Sequence, residues 1–180
     1  MSRRLAQGID AARRATPAAP ETVAVVALGA NLGDREATIA DAIAELGRLP
    51  LSRLLSAAEP IESVALTLSG PDAGAPAYRN SVALVATRLA PSVLLGLLHA
   101  IEARHGRQRR VRWGDRTLDL DLIAYGDVRS ADETLTLPHP RAEERDFVLE
   151  PWLALDPDAV LPGRGRVAEL LRRLREKGAS

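Results

Sequence analysis

The sequence predicts an α+β fold in which an antiparallel sheet carries two helices on one face. Short, β-branched apolar runs typical of buried strands alternate with segments whose apolar residues recur at helical spacing. Their order along the chain is strand, helix, strand, strand, helix, strand. The length of 180 residues suits one domain with its own hydrophobic core. This order is that of the ferredoxin-like split βαβ sandwich, followed here by a C-terminal extension.

The first strand and helix are predicted to follow an N-terminal tail. Residues 1–21 have little hydrophobic periodicity, so we expect a disordered tail ahead of a single domain over residues 22–180. The run TVAVVAL at Thr22–Leu28 predicts a buried central strand, and the glycines of the GANLG segment after it predict a turn. Asp34 suits the N-cap of a helix over Arg35–Leu46.

Two strands and a second helix are predicted next. Residues 51–62 and Tyr78–Thr87 have the composition of strands. Between them, residues 63–77 contain several glycines and prolines and predict an irregular loop. Pro91 suits the first position of a helix, and Gly106 is a suitable end for it.

The last strand and the C-terminal extension complete the predicted elements. An arginine-rich loop over residues 107–116 leads to Thr117–Ala124, where apolar and polar residues alternate as in a strand. Beyond it we expect a hairpin near residues 125–137 and a loop over residues 138–146. A late helix is predicted from four apolar residues at helical spacing: Val167, Leu170, Leu171 and Leu174.

The composition excludes several classes of protein. The absence of cysteine excludes disulfide scaffolds, thiol catalysis and cysteine-ligated metal sites. The 24 basic and 24 acidic residues balance, which argues against a general nucleic-acid binder. No apolar run approaches the roughly 20 residues of a membrane span, and the N-terminus lacks the apolar core of a secretory signal. We therefore expect a cytoplasmic protein without a membrane partner.

The strongest chemical signal is the segment RWGDRTLDLDL at residues 112–122. In an extended strand, Asp119 and Asp121 point to one face and the leucines between and beside them point to the other. About 6.6–6.8 Å separates the two backbone positions, so the carboxylates can converge on one metal ion or bridge two. Oxygen ligands without cysteine favour Mg²⁺ over Zn²⁺. On its own, such a pair is more often the solvated face of a strand.

The arginines that precede this pair strengthen the functional interpretation. Residues 104–116 contain six arginines and one acidic residue, Asp115. Guanidinium groups beside paired carboxylates suit a polyphosphate carried by Mg²⁺, because phosphoryl transfer needs charge neutralisation and alignment. The P-loop and dinucleotide motifs are absent from the sequence, so a nucleotide site would be of another type. A solvated basic loop is the structural alternative.

These motifs resemble the 6-hydroxymethyl-7,8-dihydropterin pyrophosphokinase family of folate biosynthesis over nearly all of residues 22–162. The resemblance rests on LGANLG after the first strand, Tyr78-x-Asn80, RWGDRTLDLDL, and LPHPR followed by ERDF. It implies an ATP-dependent enzyme, a diphosphotransferase. In that reaction the hydroxymethyl oxygen of the pterin attacks the β-phosphorus of ATP, and AMP is released.

The resemblance also implies roles for individual residues on the ATP side. Asp119 and Asp121 are expected to hold two Mg²⁺ ions that bridge the ATP phosphates. Arg107 and Arg116 are expected to take part in catalysis as phosphate clamps. The full set expected to bind ATP is Glu102, Arg107, Arg109, Arg116, His139 and Arg145. Because the arginine-rich loop is one residue shorter than the family pattern, Arg110 is an alternative to Arg109.

On the pterin side, the resemblance implies that the ring lies between Tyr78 and Phe147, with Asn80 bonded to its amide-like edge. Trp113 matches a residue on a mobile loop that closes over the substrates. We also expect the apolar part of residues 63–77 to pack over the pterin edge. The partners would then be two small molecules, ATP and the pterin, and we expect a monomer.

Two other classes of function fit the same fold. A non-catalytic ferredoxin-like module would bind RNA or protein, but it would favour a distributed basic surface, whereas this chain gathers its arginines beside Asp119 and Asp121. A catalytically inactive relative is disfavoured because the aspartates, arginines and aromatic residues of the motifs are all present.

Overall fold

The elements of the fold follow the predicted order. The computed structural model describes residues 20–63, 65–67, 70–72, 77–106 and 117–178. The strands are β1 (Thr22–Ala30), β2 (Ser52–Ala57), β3 (Ile61–Ser63), β4 (Ala65–Thr67), β5 (Gly70–Asp72), β6 (Tyr78–Thr87), β7 (Asp119–Tyr125), β8 (Ser130–Ala131), β9 (Thr136–Leu137), β10 (Val160–Leu161) and β11 (Gly165–Arg166). The helices are α1 (Arg35–Leu46), α2 (Pro91–Arg104), α3 (Asp146–Leu155) and α4 (Val167–Gly178), with a 3₁₀ turn at Ala142–Glu144.

Within the described residues, five strands form a central antiparallel sheet. The order β2–β6–β1–β7 places the apolar strand β1 in the interior, and β3 pairs with β6 beyond the end of β2. Gly29 in β1 lies opposite Asn80 in β6 and opposite Asp119 in β7. This register aligns three positions of the predicted site across neighbouring strands.

Alternation along the strands assigns each face of the sheet to a pair of helices. One core cluster joins Val26 and Leu28 of β1 to apolar residues of α1 and α2. The other joins Val25 and Ala27 to apolar residues of α3 and α4. The predicted pair of helices on one face, α1 and α2, is therefore confirmed, and the C-terminal extension covers the opposite face of this ferredoxin-like sandwich.

Several predicted boundaries agree with the structure. The N-cap is confirmed, because the side chain of Asp34 accepts a hydrogen bond from the amide of Ala37 at 3.0 Å. The predicted bounds of α1 and β6 match those observed, and α2 begins at Pro91 as predicted. The hairpin expected near residues 125–137, formed by β8 and β9, and the late helix α4 are confirmed as well. No helix in the described part of the chain is long and apolar enough to cross a membrane.

Two local predictions are wrong, and one helix was missed. Residues 51–62 do not form one strand, because the pairing with β6 is broken between Ala57 and Ile61, around Pro60. Residues 63–77 are not simply irregular, since β4 and β5 pair within them, and Pro71 is tolerated because a two-stranded ribbon has free edges. Helix α3 was not predicted: Pro151 lies inside it, and its buried residues form an almost continuous apolar run without a clear helical period.

Candidate active site

Oppositely charged side chains meet where β7 faces the start of α3. Oδ2 of Asp121 accepts a hydrogen bond from Nη1 of Arg145 at 2.5 Å. Nε2 of His139 lies 3.8 Å from the same carboxylate oxygen. The three side chains are largely shielded from solvent, with 28%, 19% and 22% of the side chain exposed for Asp121, Arg145 and His139, respectively. Asp119 lies two residues away on the same face of the strand.

The imidazole of His139 is oriented by two backbone contacts. The backbone amide of His139 donates to the carbonyl of Ile123 at 2.8 Å, and this bond holds the backbone at His139 against β7. Its Nδ1 accepts the amide of Arg141 at 3.2 Å. Because Nδ1 is an acceptor, the neutral ring carries its proton on Nε2, the atom that faces Asp121. This geometry makes Nε2–H a hydrogen-bond donor directed into the site.

Burial lowers the pKa of His139 below its ordinary value. The charges of Asp121 and Asp119 oppose this effect, while the guanidinium of Arg145 adds to it. The net shift is downward, so the ring is neutral at neutral pH.

Arg145 connects the acidic residues to an aromatic ring. It is the last residue before α3, and its guanidinium carbon lies 5.9 Å from the centroid of the Phe147 ring. That distance is within the range of a cation–π contact. Phe147 also packs, partly buried, against the core beneath α3. The start of α3 therefore presents a cation and an aromatic ring side by side.

On the neighbouring strands, Gly29 leaves room for an aromatic and an amide side chain. A methyl group added at Gly29 would lie 3.2 Å from Oδ1 of Asn80 and 3.8 Å from Cδ1 of Tyr78. Both side chains therefore lie over this glycine, on the same face of the sheet as Asp119. Nδ2 of Asn80 donates to Oγ of Ser63 at 2.6 Å, which fixes the orientation of the amide.

The structure brings together most of the predicted site residues that it describes. Asp119, Asp121, His139 and Arg145 form one group, and Asn80 and Tyr78 lie across Gly29 from Asp119, while Phe147 adjoins Arg145. Sequence reasoning missed the roles of Gly29 and Ser63. The Tyr-x-Asn motif, on a strand that pairs with the glycine-containing end of β1, is a signal for the role of Gly29. The local sequence carries no signal for the role of Ser63.

Glu102 has a different environment from the other predicted residues. Its side chain is fully buried, and Oε1 accepts the amide of Leu120 at 2.9 Å. It thus supports, from the side of α2, the strand that carries the two aspartates. The predicted residues Arg107, Arg109, Arg110, Trp113 and Arg116 lie outside the described residues, as do residues 64, 68–69 and 73–76 of the segment expected to cover the pterin.

The donor set suits one kind of metal ion. Over the described ranges, no group of three or more histidine, aspartate or glutamate side chains is arranged to hold a metal. Mg²⁺, however, commonly binds through one or two carboxylates together with substrate phosphates and water. Asp119 and Asp121 therefore fit Mg²⁺ that arrives with a nucleotide. The contact between Asp121 and the guanidinium of Arg145 shows that this carboxylate already stabilises a positive charge.

Comparison with known proteins identifies the family that the sequence matches. The family model for 7,8-dihydro-6-hydroxymethylpterin-pyrophosphokinase (HPPK) matches residues 25–157. The 2-amino-4-hydroxy-6-hydroxymethyldihydropteridine pyrophosphokinase of Pseudomonas aeruginosa is 42% identical over 148 residues, covering 81% of this chain and 88% of its own. The enzyme of that name from Methylorubrum extorquens is 36% identical over 157 residues, covering 87% of this chain and 96% of its own.

Solved structures agree at the level of the fold. A crystal structure of Plasmodium falciparum HPPK-DHPS superposes with a TM-score of 0.68 at 12% identity, covering 92% of this chain. This chain spans about half of that longer protein, 48% of its length. The family match over most of the chain, the relatives matched over most of their own length and the shared fold lead to one conclusion. The chain belongs to the 7,8-dihydro-6-hydroxymethylpterin-pyrophosphokinase family.

Proposed function

We infer that this site performs the reaction of the family, the ATP-dependent transfer of pyrophosphate to 6-hydroxymethyl-7,8-dihydropterin in folate biosynthesis. One observation carries the inference. The charged group around Asp121 and the pair Tyr78 and Asn80 lie on one face of the sheet, separated by Gly29. A polyphosphate and a flat heterocycle can therefore bind side by side, with the hydroxymethyl group directed at the phosphates.

The ATP subsite combines a neutral donor with a movable cation. Nε2–H of His139 can donate to a phosphate oxygen without repelling Mg²⁺, because the ring is neutral. Arg145 contacts Asp121 in this structure, and its guanidinium can turn to a phosphate that approaches the same carboxylate. Arg107, Arg116 and either Arg109 or Arg110 would add further phosphate contacts, a proposal that rests on the sequence.

Asp119 and Asp121 are the residues proposed to hold the metal, with two Mg²⁺ ions as the expected number. When bound, such ions neutralise phosphate charge and orient the attacking hydroxyl. The protein aligns the pterin oxygen with the β-phosphorus, so that the new P–O bond forms as the bond to the bridging oxygen of AMP breaks. The proton of the hydroxyl group passes to water in the same transfer, and the bridging oxygen leaves on the phosphate of AMP.

The pterin subsite is proposed to hold the ring by stacking and by its edge. Tyr78 and Phe147 supply two aromatic faces, while Asn80, oriented by Ser63, presents an amide to the donor and acceptor edge of the ring. Trp113 is proposed to close over the bound substrates, by resemblance to the family. A substrate without the amide-like edge would leave the buried amide of Asn80 poorly paired and would bind weakly.

The direct test is incubation of the chain with ATP, Mg²⁺ and the hydroxymethyl dihydropterin, followed by separation of the nucleotides. We expect AMP to form in proportion to the pterin added, and an Asp119→Asn variant to serve as the inactive control. Formation of ADP instead would replace the proposal with a simple kinase. RNA binding without a pterin-dependent nucleotide product would favour the non-catalytic module.

A further inference from the structure

The aromatic residue of the pterin subsite lies at the weakly supported end of a strand. The pairing of β6 with β1 ends where Arg79 opposes Ala30, one residue after Tyr78. Tyr78 itself is paired with Ser63 of β3, a strand of three residues. The backbone at Tyr78 therefore depends on contacts outside the main ladder for a fixed position.

Helix α1 supplies such contacts on both sides of Tyr78. The guanidinium of Arg35 donates a hydrogen bond to the carbonyl of Ala77. The adjacent Glu36 accepts two hydrogen bonds at Oε2 from Arg79, from Nε at 3.0 Å and from Nη2 at 2.8 Å. Two consecutive residues in the first turn of α1 thus bind the two neighbours of Tyr78.

These contacts act from the opposite face of the strand. Because side chains alternate, Arg79 points to the side of α1 while Tyr78 and Asn80 point to the site. The first turn of α1 is itself fixed by the Asp34 cap. The contacts can therefore restrain the backbone of Tyr78 without touching a ligand.

We propose that Arg35, Glu36 and Arg79 are positioning residues that set Tyr78 for stacking against the pterin. This inference rests on the proposed function. The side chain of Glu36 is 62% exposed, so its ion pair adds little to global stability, and its effect is expected to be local. Binding of the pterin, and not of ATP, should be sensitive to it.

Charge reversal of the pair provides the test. In Glu36→Arg and in Arg79→Glu, we expect the KM for the pterin to rise about two- to fivefold, the range that an exposed ion pair can supply. The KM for ATP should stay at the parent value. The double variant, with the charges exchanged, should recover most of the lost pterin affinity. Should Glu36→Arg fail to fold, Glu36→Gln replaces it.

Two controls separate positioning from general damage. The exposed pair of Arg172 and Glu176 on α4, with Nη1 and Oε1 3.0 Å apart, is a matched ion pair whose reversal should change neither KM. In a Tyr78→Ala background, Glu36→Arg should cause no further rise in the pterin KM, because the residue through which it acts is gone.

The outcomes distinguish failure of the proposed function from failure of the positioning role. If the unmodified chain forms no pterin-dependent AMP, the proposed function fails and the positioning role fails with it. If the chain is active but the charge reversals leave the pterin KM unchanged, or raise the KM for both substrates equally, the positioning role alone is wrong. A full effect of Glu36→Arg in the Tyr78→Ala background would also overturn it.

Discussion

Asp119 and Asp121 share a strand face, but the contacts of Asp121 predict an additional effect of its replacement. Each change to asparagine should lower turnover at least about a hundredfold, because a charged ligand of the proposed metal site is lost. Asp121→Asn also weakens the 2.5 Å contact with Arg145, so its melting temperature should fall slightly. Turnover at saturating Mg²⁺ and thermal unfolding measure both effects. Near-parent activity in either variant would contradict the metal assignment.

Gly29 is expected to matter through the space that it leaves. In Gly29→Ala, the new methyl group would lie 3.2 Å from Oδ1 of Asn80, so the amide must shift by a few tenths of an ångström. We expect the pterin KM to rise on the order of three- to tenfold, equivalent to about 0.7–1.4 kcal/mol, with the KM for ATP unchanged.

The matched control is Gly96→Ala on the exposed side of α2, where an added methyl group meets no atom within 4 Å. That variant should keep both KM values and gain about 0.5–1 kcal/mol of stability. An unchanged pterin KM in Gly29→Ala would show that the amide of Asn80 lies away from the bound pterin.

At the scale of elements, Glu102 joins α2 to the edge strand β7. Glu102→Leu should lower the free energy of unfolding by about 1–3 kcal/mol, because the buried amide of Leu120 loses its acceptor. Glu102→Gln keeps an acceptor oxygen and should be nearly as stable as the parent. Chemical denaturation together with the KM for ATP separates this role from direct ATP binding. If Glu102→Gln raises the KM for ATP while stability is unchanged, the residue contacts the nucleotide.

Glu45 joins α1 to the end of α2, directly before the arginine-rich segment. Its Oε1 lies 2.7 Å from Nε2 of His105, and Arg104 binds its other oxygen. Partial burial alone would raise the pKa of Glu45, but hydrogen bonds from Arg104 and His105 outweigh this and lower it. A lowered carboxyl pKa contributes stability above the ordinary value of 4.5, and that contribution disappears as the pH falls through the folded-state pKa.

Glu45→Gln should therefore be less stable than the parent at neutral pH, and the difference should shrink as the solution is acidified below pH 4.5. Urea unfolding at a series of pH values measures it. A difference that stays constant with pH would mean that the carboxylate charge plays no part in this contact.

At the scale of the whole molecule, we expect a monomer. Helices of the same chain cover both faces of the five-stranded sheet, so the sheet in the described residues does not need a second copy to bury its apolar sides. Light scattering should then give a mass near 19.3 kDa for this chain. A concentration-independent mass of twice that value would contradict the prediction.

The local structure was predictable where short segments carry their own signals. The cap at Asp34, the helix that follows it and the strand Tyr78–Thr87 were predicted at their observed bounds, since caps and periodicity act within a few residues. Alternation failed at Ala124, because a bulge at Ile123 between β1 and β7 places these two consecutive residues on the same face. Helix α3 was missed because it is buried on several sides. Its sequence therefore lacks the alternation of apolar and polar residues at helical spacing that predicts a helix.

The sequence by itself determined most of the elements, the paired aspartates and, through its motifs, the family. Tertiary structure alone decided that Arg145 lies against Asp121, 24 residues away, and that Ser63 orients Asn80. It also decided that Glu102 supports β7 from the side of α2. The physical reason is distance along the chain: caps and periodicity depend on neighbouring residues, whereas strand register and helix packing join segments whose proximity no local pattern encodes.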